Sequence, residues 1–226
     1  MNGIILYKLC DFWNIKMSDE DKFSLEEGTI LIRFARDNIE FFLKNNRKIP
    51  IPDQIKEKFA DKYGAFVTLN GYNINGNPLR GCIGYIEPTY SLYDVIHRVS
   101  ISSAIEDPRF PSVTIEEMDN IIIELSILTP PKLIKVNDPK EYLNKIVIGR
   151  DGLIAERGMR RGLLLPQVPI EHDRKWDVET FISHTCSKAW LDSNAWREES
   201  TKIFSFQAIL FEEERPRGEV VRKYLK

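Results

Sequence analysis

Apolar residues recur along this chain in two periods, one typical of helices and one typical of strands. A helical spacing follows Ser24, where Ser24 and Glu27 match a capping box. A second helix is predicted over residues 91–106. A third is predicted over residues 178–191, with Asp177 as its N-cap. The pattern therefore predicts three main helices, each with one apolar face.

Runs rich in β-branched and aromatic residues predict strands at residues 63–69, 79–86, 121–128 and 203–211. A turn-rich loop joins the first two strands as a long hairpin. Asp151-Gly152, with apolar residues on both sides, is the strongest short hairpin signal in the chain. Hairpins mixed with separate helices predict an α+β fold, with a mainly antiparallel sheet and flanking helices.

Composition narrows the function classes. Of the 226 residues, 42% are hydrophobic and 29% are charged, which is ordinary for a globular chain. There are 32 Lys and Arg against 34 Asp and Glu, which excludes a strongly basic protein that coats nucleic acid over its whole surface. Residues 1–22 are predicted to be an N-terminal extension that is too charged to enter a membrane, with Met17 as the true start.

The three cysteines, Cys10, Cys82 and Cys186, are widely spaced and form no CxxC pair. This usage predicts a reducing, cytoplasmic location. The cysteines and histidines show no metal-ligand spacing, so no metal site is predicted. Phosphate-loop, dinucleotide and hydrolase-elbow motifs are absent from the sequence, which leaves the cofactor open.

The segment Leu79-Arg80-Gly81-Cys82-Ile83-Gly84 looks more like a site than like core. On a strand, Arg80 and Cys82 point to one face, roughly 7 Å apart. The guanidinium would favour the thiolate form of Cys82. Exposed N–H groups at the glycines, together with Arg80, would suit a carboxylate or a phosphate. The alternative is a core cysteine that glycines happen to flank.

Two further features leave alternatives open. Glu124 lies in the apolar run at residues 121–128, where a buried carboxylate must be either ion-paired, with Arg80 or Arg109 as candidate partners, or functional near Cys82. A local basic patch (Arg157, Arg160, Arg161) suits either a solvated turn or nucleic-acid contact.

The hexapeptide resembles the signature of the AMMECR family, named for the human AMME syndrome chromosomal region. Segments that resemble the family occur in its order from about residue 23 to residue 211: Tyr63-Gly-Ala-Phe-Val-Thr-Leu69, Asp107-Pro-Arg-Phe-Pro111, Ile123-Glu-Leu-Ser-Ile-Leu-Thr129, Gly162-Leu-Leu-Leu-Pro-Gln-Val168 and Thr185-Cys-Ser-Lys-Ala189. One departure is Lys188-Ala-Trp190-Leu191, where members often read Lys-Ala-Gly-Leu.

The resemblance implies one domain over residues 23–211, with two unequal lobes and the hexapeptide near the cleft between them. Residues 212–226 fall outside it and are predicted to be a charged tail. The resemblance implies no established reaction. Prokaryotic members occur with Memo-type and radical SAM proteins, which implies a shared modification or metabolic pathway.

Three functional hypotheses follow. In the first, the protein is an enzyme or a pathway component with Cys82 as thiol nucleophile, Arg80 lowering its pKa and Glu124 moving protons, while Arg109 and Gln167 orient the substrate. In the second, a non-catalytic binding or adaptor module holds a small anionic ligand or a peptide, with backbone contacts at Gly81 and Gly84. In the third, the basic patch contacts RNA.

Overall fold

A computed structural model describes residues 22–74, 78–170 and 174–224. The predictions on Cys10 and Met17 lie outside these residues. The described chain contains five α-helices: α1 (Leu25–Asn45), α2 (Asp53–Lys58), α3 (Leu92–Ile105), α4 (Tyr142–Lys145) and α5 (Val178–Lys188). Its eight strands are β1 (Gly64–Gly71), β2 (Leu79–Tyr85), β3 (Ile121–Leu128), β4 (Lys132–Leu133), β5 (Asp151–Arg157), β6 (Arg160–Leu164), β7 (Lys202–Glu213) and β8 (Val220–Lys223).

The helix start signals in the sequence are used as expected. The Ser24 hydroxyl accepts a hydrogen bond from the Glu27 N–H at 3.2 Å, and the Glu27 carboxylate accepts one from the Ser24 N–H at 2.9 Å. Asp177 caps α5 by accepting from the Thr180 N–H at 2.8 Å. Each contact satisfies N–H groups that have no partner inside the helix.

All strands join one antiparallel sheet in the order β2-β1-β3-β7-β5-β6, and β4 and β8 also pair with β7. The predicted α+β class with a mainly antiparallel sheet is confirmed. Strand β7 is long enough to pair with β5 through its first half and with β3 and β8 through its second half.

Two hydrophobic clusters cover the outer face of the sheet. The larger one joins α1 and α3 to strands β1, β3 and β7, with Leu31, Val99, Val67 and Phe211 at its centre. The smaller one joins α5 to β5 and β7 through Phe181, Cys186, Leu153 and Ile203. Since β7 contributes to both clusters, the two unequal lobes share one strand.

The sheet curls around a third cluster on its inner face, which contains Phe66, Leu128, Ile154 and Phe206. Ile86, just after β2, and Leu163 of β6 both pack against this cluster, although β2 and β6 are the two ends of the strand order. An ion pair between Glu87 and Arg161 also links these ends. The inner face is therefore concave and closed at one end.

Two sequence predictions differ from the structure. Asp151-Gly152 does not form a hairpin turn, because Asp151 begins β5 and its carboxylate accepts from the Val147 N–H at 2.9 Å. The hairpin turn of this region lies between β5 and β6 instead, at Gly158 and Met159. Gly152 is needed because a side chain there would clash with the Phe206 ring on β7, and the residues around Gly152 in sequence do not reveal this contact.

Six of the residues expected to form a charged tail are part of the sheet. Glu212 and Glu213 complete β7, and Val220–Lys223 form β8 along its edge. The prediction that helix α5 reaches residue 191 is also corrected, since it ends at Lys188. Trp190 then has φ 58°, in the left-handed region where glycine is the common residue. This is the physical meaning of the departure seen in the sequence.

Among the described residues, no helix is long and apolar enough to cross a bilayer.

Candidate functional site

Cys82 lies on β2, the edge strand of the sheet, and its side chain is half-buried on the concave face. Its register partner on β1 is Thr68, whose hydroxyl lies 3.2 Å from the Cys82 Sγ and donates to it. The outer edge of β2 would leave backbone groups unpaired, and here the Asp107 carboxylate accepts the Cys82 N–H at 2.9 Å. Cys82 is therefore held from both sides.

Asp107 and Arg109 form the clamp on this edge. The Asp107 carboxylate is buried and accepts from the Arg109 backbone N–H, from its Nε at 2.9 Å and from its Nη2 at 2.7 Å. These hydrogen bonds, those from Arg109 first, hold the pKa of Asp107 well below its ordinary value. Arg109 Nη2 also approaches the Cys82 carbonyl oxygen at 3.5 Å, while its side chain is 54% exposed.

The pKa of the Cys82 thiol is raised, mainly because burial disfavours the thiolate. The Thr68 hydrogen bond and the Arg109 charge act in the opposite direction, and the carboxylates of Glu124 and Asp107 reinforce the rise. The expected lowering of this pKa by Arg80 is not found, since the pKa is raised and the guanidinium that acts against the rise is that of Arg109.

Arg80 has a structural role in the described contacts. Its Nε and Nη2 both donate to the Glu117 carboxylate at 3.1 Å, and its Nη1 donates to the Pro111 carbonyl oxygen at 2.7 Å. A register shift in β1 between Leu69 and Asn70, opposite Arg80, breaks the regular alternation on which the sequence argument depended. Arg80 thus fixes the loop that carries Asp107 and Arg109.

Glu124 lies on the far side of Thr68 from Cys82. Its register partner on β1 is Thr68 and its register partner on β7 is Glu212, so Cys82, Thr68, Glu124 and Glu212 stand side by side on four adjacent strands. We call these four residues the polar row. Directly opposed residues in a sheet face the same side. The row therefore crosses the concave face where the inner hydrophobic cluster ends.

Lys223 of β8 supplies the cation of the row. Its Nζ lies 3.0 Å from the Glu124 carboxylate and 2.8 Å from that of Glu212. The two glutamates are 12% and 17% exposed, and Lys223 is 40% exposed. The ion pair considered for Glu124 is thus present, but its partner comes from the segment that was predicted to be a tail. The two valines before Arg222-Lys223 were the only strand signal there.

Gly81 and Gly84 have packing reasons of their own. A Cβ on Gly81 would lie 2.0 Å from the Ser103 carbonyl oxygen of α3, and a Cβ on Gly84 would lie 2.3 Å from the Phe66 ring. Both glycines therefore permit close approach within the fold. Their predicted contact with a ligand is a separate matter and stays a prediction.

Gln167 lies two residues after Leu165, which packs against the inner hydrophobic cluster. Its Oε1 is buried and has no hydrogen-bond partner among the described residues. An unsatisfied buried acceptor is unfavourable and is a place where a donor is expected to bind. The predicted role of Gln167 in orienting a ligand stays a prediction.

The basic patch is mostly engaged within the fold. Arg157 pairs with Glu198 and Arg161 pairs with Glu87 and Glu156, whereas Arg160 donates to the Trp190 carbonyl oxygen at 2.9 Å. Cys186 is fully buried in the smaller cluster, and burial raises the pKa of its thiol to about 11. In residues 22–74, 78–170 and 174–224 no three His, Cys, Asp or Glu side chains are grouped as metal ligands.

We expect the pH dependence of Cys82 alkylation to show how these charges change the pKa of its thiol. In Glu124→Gln, the pKa of Cys82 should fall because the variant removes a carboxylate that disfavours the thiolate. In Arg109→Gln it should rise, and in the control Arg98→Gln, whose guanidinium pairs with Asp94 on α3, it should not change. The rate of reaction with iodoacetamide against pH, followed by peptide mass spectrometry, measures the inflection. A pKa of Cys82 in Arg109→Gln equal to that of the wild type would contradict the role assigned to Arg109.

A curled antiparallel sheet, with helices outside and a cysteine-bearing edge strand beside a polar row, defines a specific class of α+β protein. The chain belongs to the AMMECR1 family, whose model matches residues 32–211. Protein MJ0810 of Methanocaldococcus jannaschii is 54% identical over 202 residues, which cover 89% of this chain and 98% of that protein. Protein PH0010 of Pyrococcus horikoshii is 49% identical over 201 residues, which cover 88% and 96%.

A solved structure supports the fold. The crystal structure of PH0010, described as uncharacterized, matches with a TM-score of 0.78 at 48% identity, covering 88% of this chain and 97% of that one. These relatives carry generic names and assign no reaction.

Proposed function

We propose that the polar row binds a small polar ligand and that Cys82 reacts with this ligand as a thiol nucleophile. The observation that carries the proposal is the in-register placement of Cys82, Thr68 and Glu124 on a partly exposed concave face. Beyond the polar row and Lys223, an apolar cluster occupies the inner face. Packing alone therefore does not explain why three adjacent side chains here can bind a ligand or exchange protons.

The charges of the site define its chemistry. Cys82 is a neutral thiol at rest because its pKa is raised, so its proton must leave as sulfur attacks. The electrophile would be a carbonyl carbon of the ligand: as the S–C bond forms, the C=O π bond opens and its electron pair moves onto the oxygen. Glu124 is the carboxylate that would accept this proton. The Thr68 hydroxyl, which donates to the sulfur at rest, would relay the proton after turning to accept from the thiol and donate to Glu124. Asp107 and Arg109 would hold β2 in place during the step, since they bind the Cys82 N–H and approach its carbonyl oxygen.

The anionic ligand that the sequence suggested has less support than a polar ligand in general. The Cys82 N–H already donates to Asp107, and Arg80 already binds Glu117. The groups around the thiol are three carboxylates (Asp107, Glu124, Glu212) and two cations (Arg109, Lys223), the cations being the more exposed. A ligand with both a donor and an acceptor fits this mixture better than a simple anion.

A second candidate function is binding without covalent chemistry. The observation in its favour is the raised pKa of Cys82, because a site built for a resting thiolate would lower it. In that case Cys82 would contact the ligand as a small polarizable side chain. The alternatives differ in whether the sulfur is required.

A panel of chloroacetamide fragments with equal reactivity toward glutathione tests the proposal. We expect their labelling rates at Cys82 to differ by more than tenfold, because a ligand site selects among shapes and a bare thiol does not. Peptide mass spectrometry gives the rates, and buried Cys186 is the internal control. Uniform rates would contradict a ligand site at Cys82.

The same fragments without the chlorine distinguish the two candidates. A binding module predicts two results. The analogues bind the wild-type protein and Cys82→Ser equally, and Glu124→Gln does not slow labelling by the parent fragments when rates are compared at the same thiolate fraction. Slower labelling in Glu124→Gln, corrected for the shift in the pKa of Cys82, supports proton transfer to Glu124.

A further inference from the structure

A second surface, whose residues take no part in the polar row, is exposed at the end of the smaller lobe. Met159 is fully exposed at the tip of the β5–β6 hairpin, and the Trp190 side chain, just after α5, is 85% exposed. The two segments are adjacent, since Arg160 donates to the Trp190 carbonyl oxygen at 2.9 Å. We call Met159, Arg160, Lys188 and Trp190 the hairpin patch.

The backbone of Trp190 is in a conformation that favours glycine. The Trp190 N–H bonds the Ser187 carbonyl oxygen and the Leu191 N–H bonds the Cys186 carbonyl oxygen, both at 3.0 Å. This is the hydrogen-bond pattern of a Schellman helix end, with Trp190 at the left-handed position and φ 58°. A side chain at that position is unfavourable because its Cβ approaches the carbonyl oxygen that follows.

Packing does not offset this strain, because the indole is mostly in solvent. A buried tryptophan would gain stability from the area that it removes from water. Trp190 gains little, and it also leaves a large apolar ring exposed, which costs solubility. A strained residue with an exposed side chain indicates a function that lies outside the folded chain itself.

The charges around the patch indicate what it contacts. Among the described residues, Arg160 and Lys188 make no ion pair, while the nearby Arg157 and Arg161 are paired with Glu198 and with Glu87 and Glu156. Two cations that form no ion pair within the described part of the chain thus flank its two most exposed apolar side chains. The patch would be completed by an apolar surface that carries carboxylates.

We propose that the hairpin patch docks a partner protein through a segment that combines apolar and acidic residues. Trp, Met and Arg are the residues enriched at protein–protein interfaces, and Trp and Arg dominate their hot spots. A single-stranded nucleic acid would need a track of free cations with several stacking rings. Here two of the four nearby cations are already paired, and one aromatic ring is exposed.

The first test uses the protein alone. Trp190→Gly should raise the urea midpoint, because glycine adopts this conformation without strain and the indole contributes little packing. Lys175→Gly is the matched control, since Lys175 also has a positive φ, of 45°, and lies outside the patch. A lower urea midpoint in Trp190→Gly would show that Trp190 serves the fold, and this would overturn the proposal.

The second test uses random dodecapeptides displayed on phage as the probe, selected against the full chain. We expect enriched peptides with at least two Asp or Glu next to an apolar residue. The affinity of the best synthetic peptide should fall at least tenfold in Trp190→Gly and at least threefold in Arg160→Gln. It should not change in Lys175→Gly or in Leu133→Thr, which alters another exposed apolar side chain.

The remaining outcomes count against the proposal. No enrichment, enrichment without acidic residues, or equal affinity in Trp190→Gly would each overturn it. So would Trp190-dependent binding of oligouridylate or of phosphatidylserine vesicles in the absence of peptide binding. A dimer in sedimentation that Trp190→Gly abolishes would assign the patch to a second copy of this chain instead.

Discussion

Glu213→Ala is expected to lower the free energy of unfolding by about 3 kcal/mol, because it removes the carboxylate of a buried ion pair and leaves Arg36 with the partly exposed Glu40 as its remaining counter-charge. The side chains of Arg36 on α1 and Glu213 at the end of β7 are 5% and 2% exposed. Arg36 Nε donates to Glu213 at 2.7 Å, and Glu213 also accepts from the Ile123 N–H at 3.0 Å. The pair therefore ties a helix to two strands.

Urea unfolding measures this change, and the melting temperature should fall by about 10 °C for a chain of this size. The matched control is Asp119→Ala, which breaks the exposed ion pair with Arg217 and should cost less than about 1 kcal/mol. The double variant Arg36→Met with Glu213→Leu should recover part of the stability. It leaves no buried charge, but the Ile123 N–H and the Met118 and Ile121 carbonyl oxygens lose these partners. Equal costs for Glu213→Ala and Asp119→Ala would contradict this account.

Asp107→Ala is expected to cost about 3 kcal/mol, because the buried carboxylate satisfies the Cys82 N–H and three donors of Arg109. The pKa of Asp107 is lowered in the folded state, so its contribution is complete above its ordinary value near 3.8. It is lost as the pH falls toward the lowered pKa. Asp107→Asn should therefore flatten the decline in stability below about pH 4.

Urea titrations between pH 2.5 and pH 7 compare the wild-type chain with both variants. Asp177→Ala is the control, since it removes an exposed helix cap and should cost about 1 kcal/mol. An acid decline in Asp107→Asn that is as steep as in the wild type would show that other carboxylates control it.

The sequence predicted the parts of the fold that depend on local chemistry. The capping box at Ser24, the cap at Asp177 and the alternation in Ile121–Leu128 each form as expected, because each depends on residues within one element. Asp151-Gly152 gave a wrong hairpin prediction because Gly152 makes room for the Phe206 ring on another strand. The sequence pattern does not distinguish a glycine required by a turn from a glycine required by close packing.

The sequence named candidate residues that lie close together in the structure, but it did not predict their contacts. Cys82, Arg109 and Glu124 were identified, but the cation assigned to the thiol was Arg80. The shift in register beside Arg80 and its bidentate contact with Glu117 depend on tertiary structure. Lys223 was missed because a four-residue edge strand carries too little periodicity to predict.

Strand β7 has a consequence for the order of assembly during synthesis. It supplies the central pairing partner of β3, β5 and β8 and side chains to both outer hydrophobic clusters, yet it begins only at residue 202. Neither lobe can complete its outer cluster until this segment has left the ribosome. The nascent chain must therefore wait for residues 202–213 before both lobes close together.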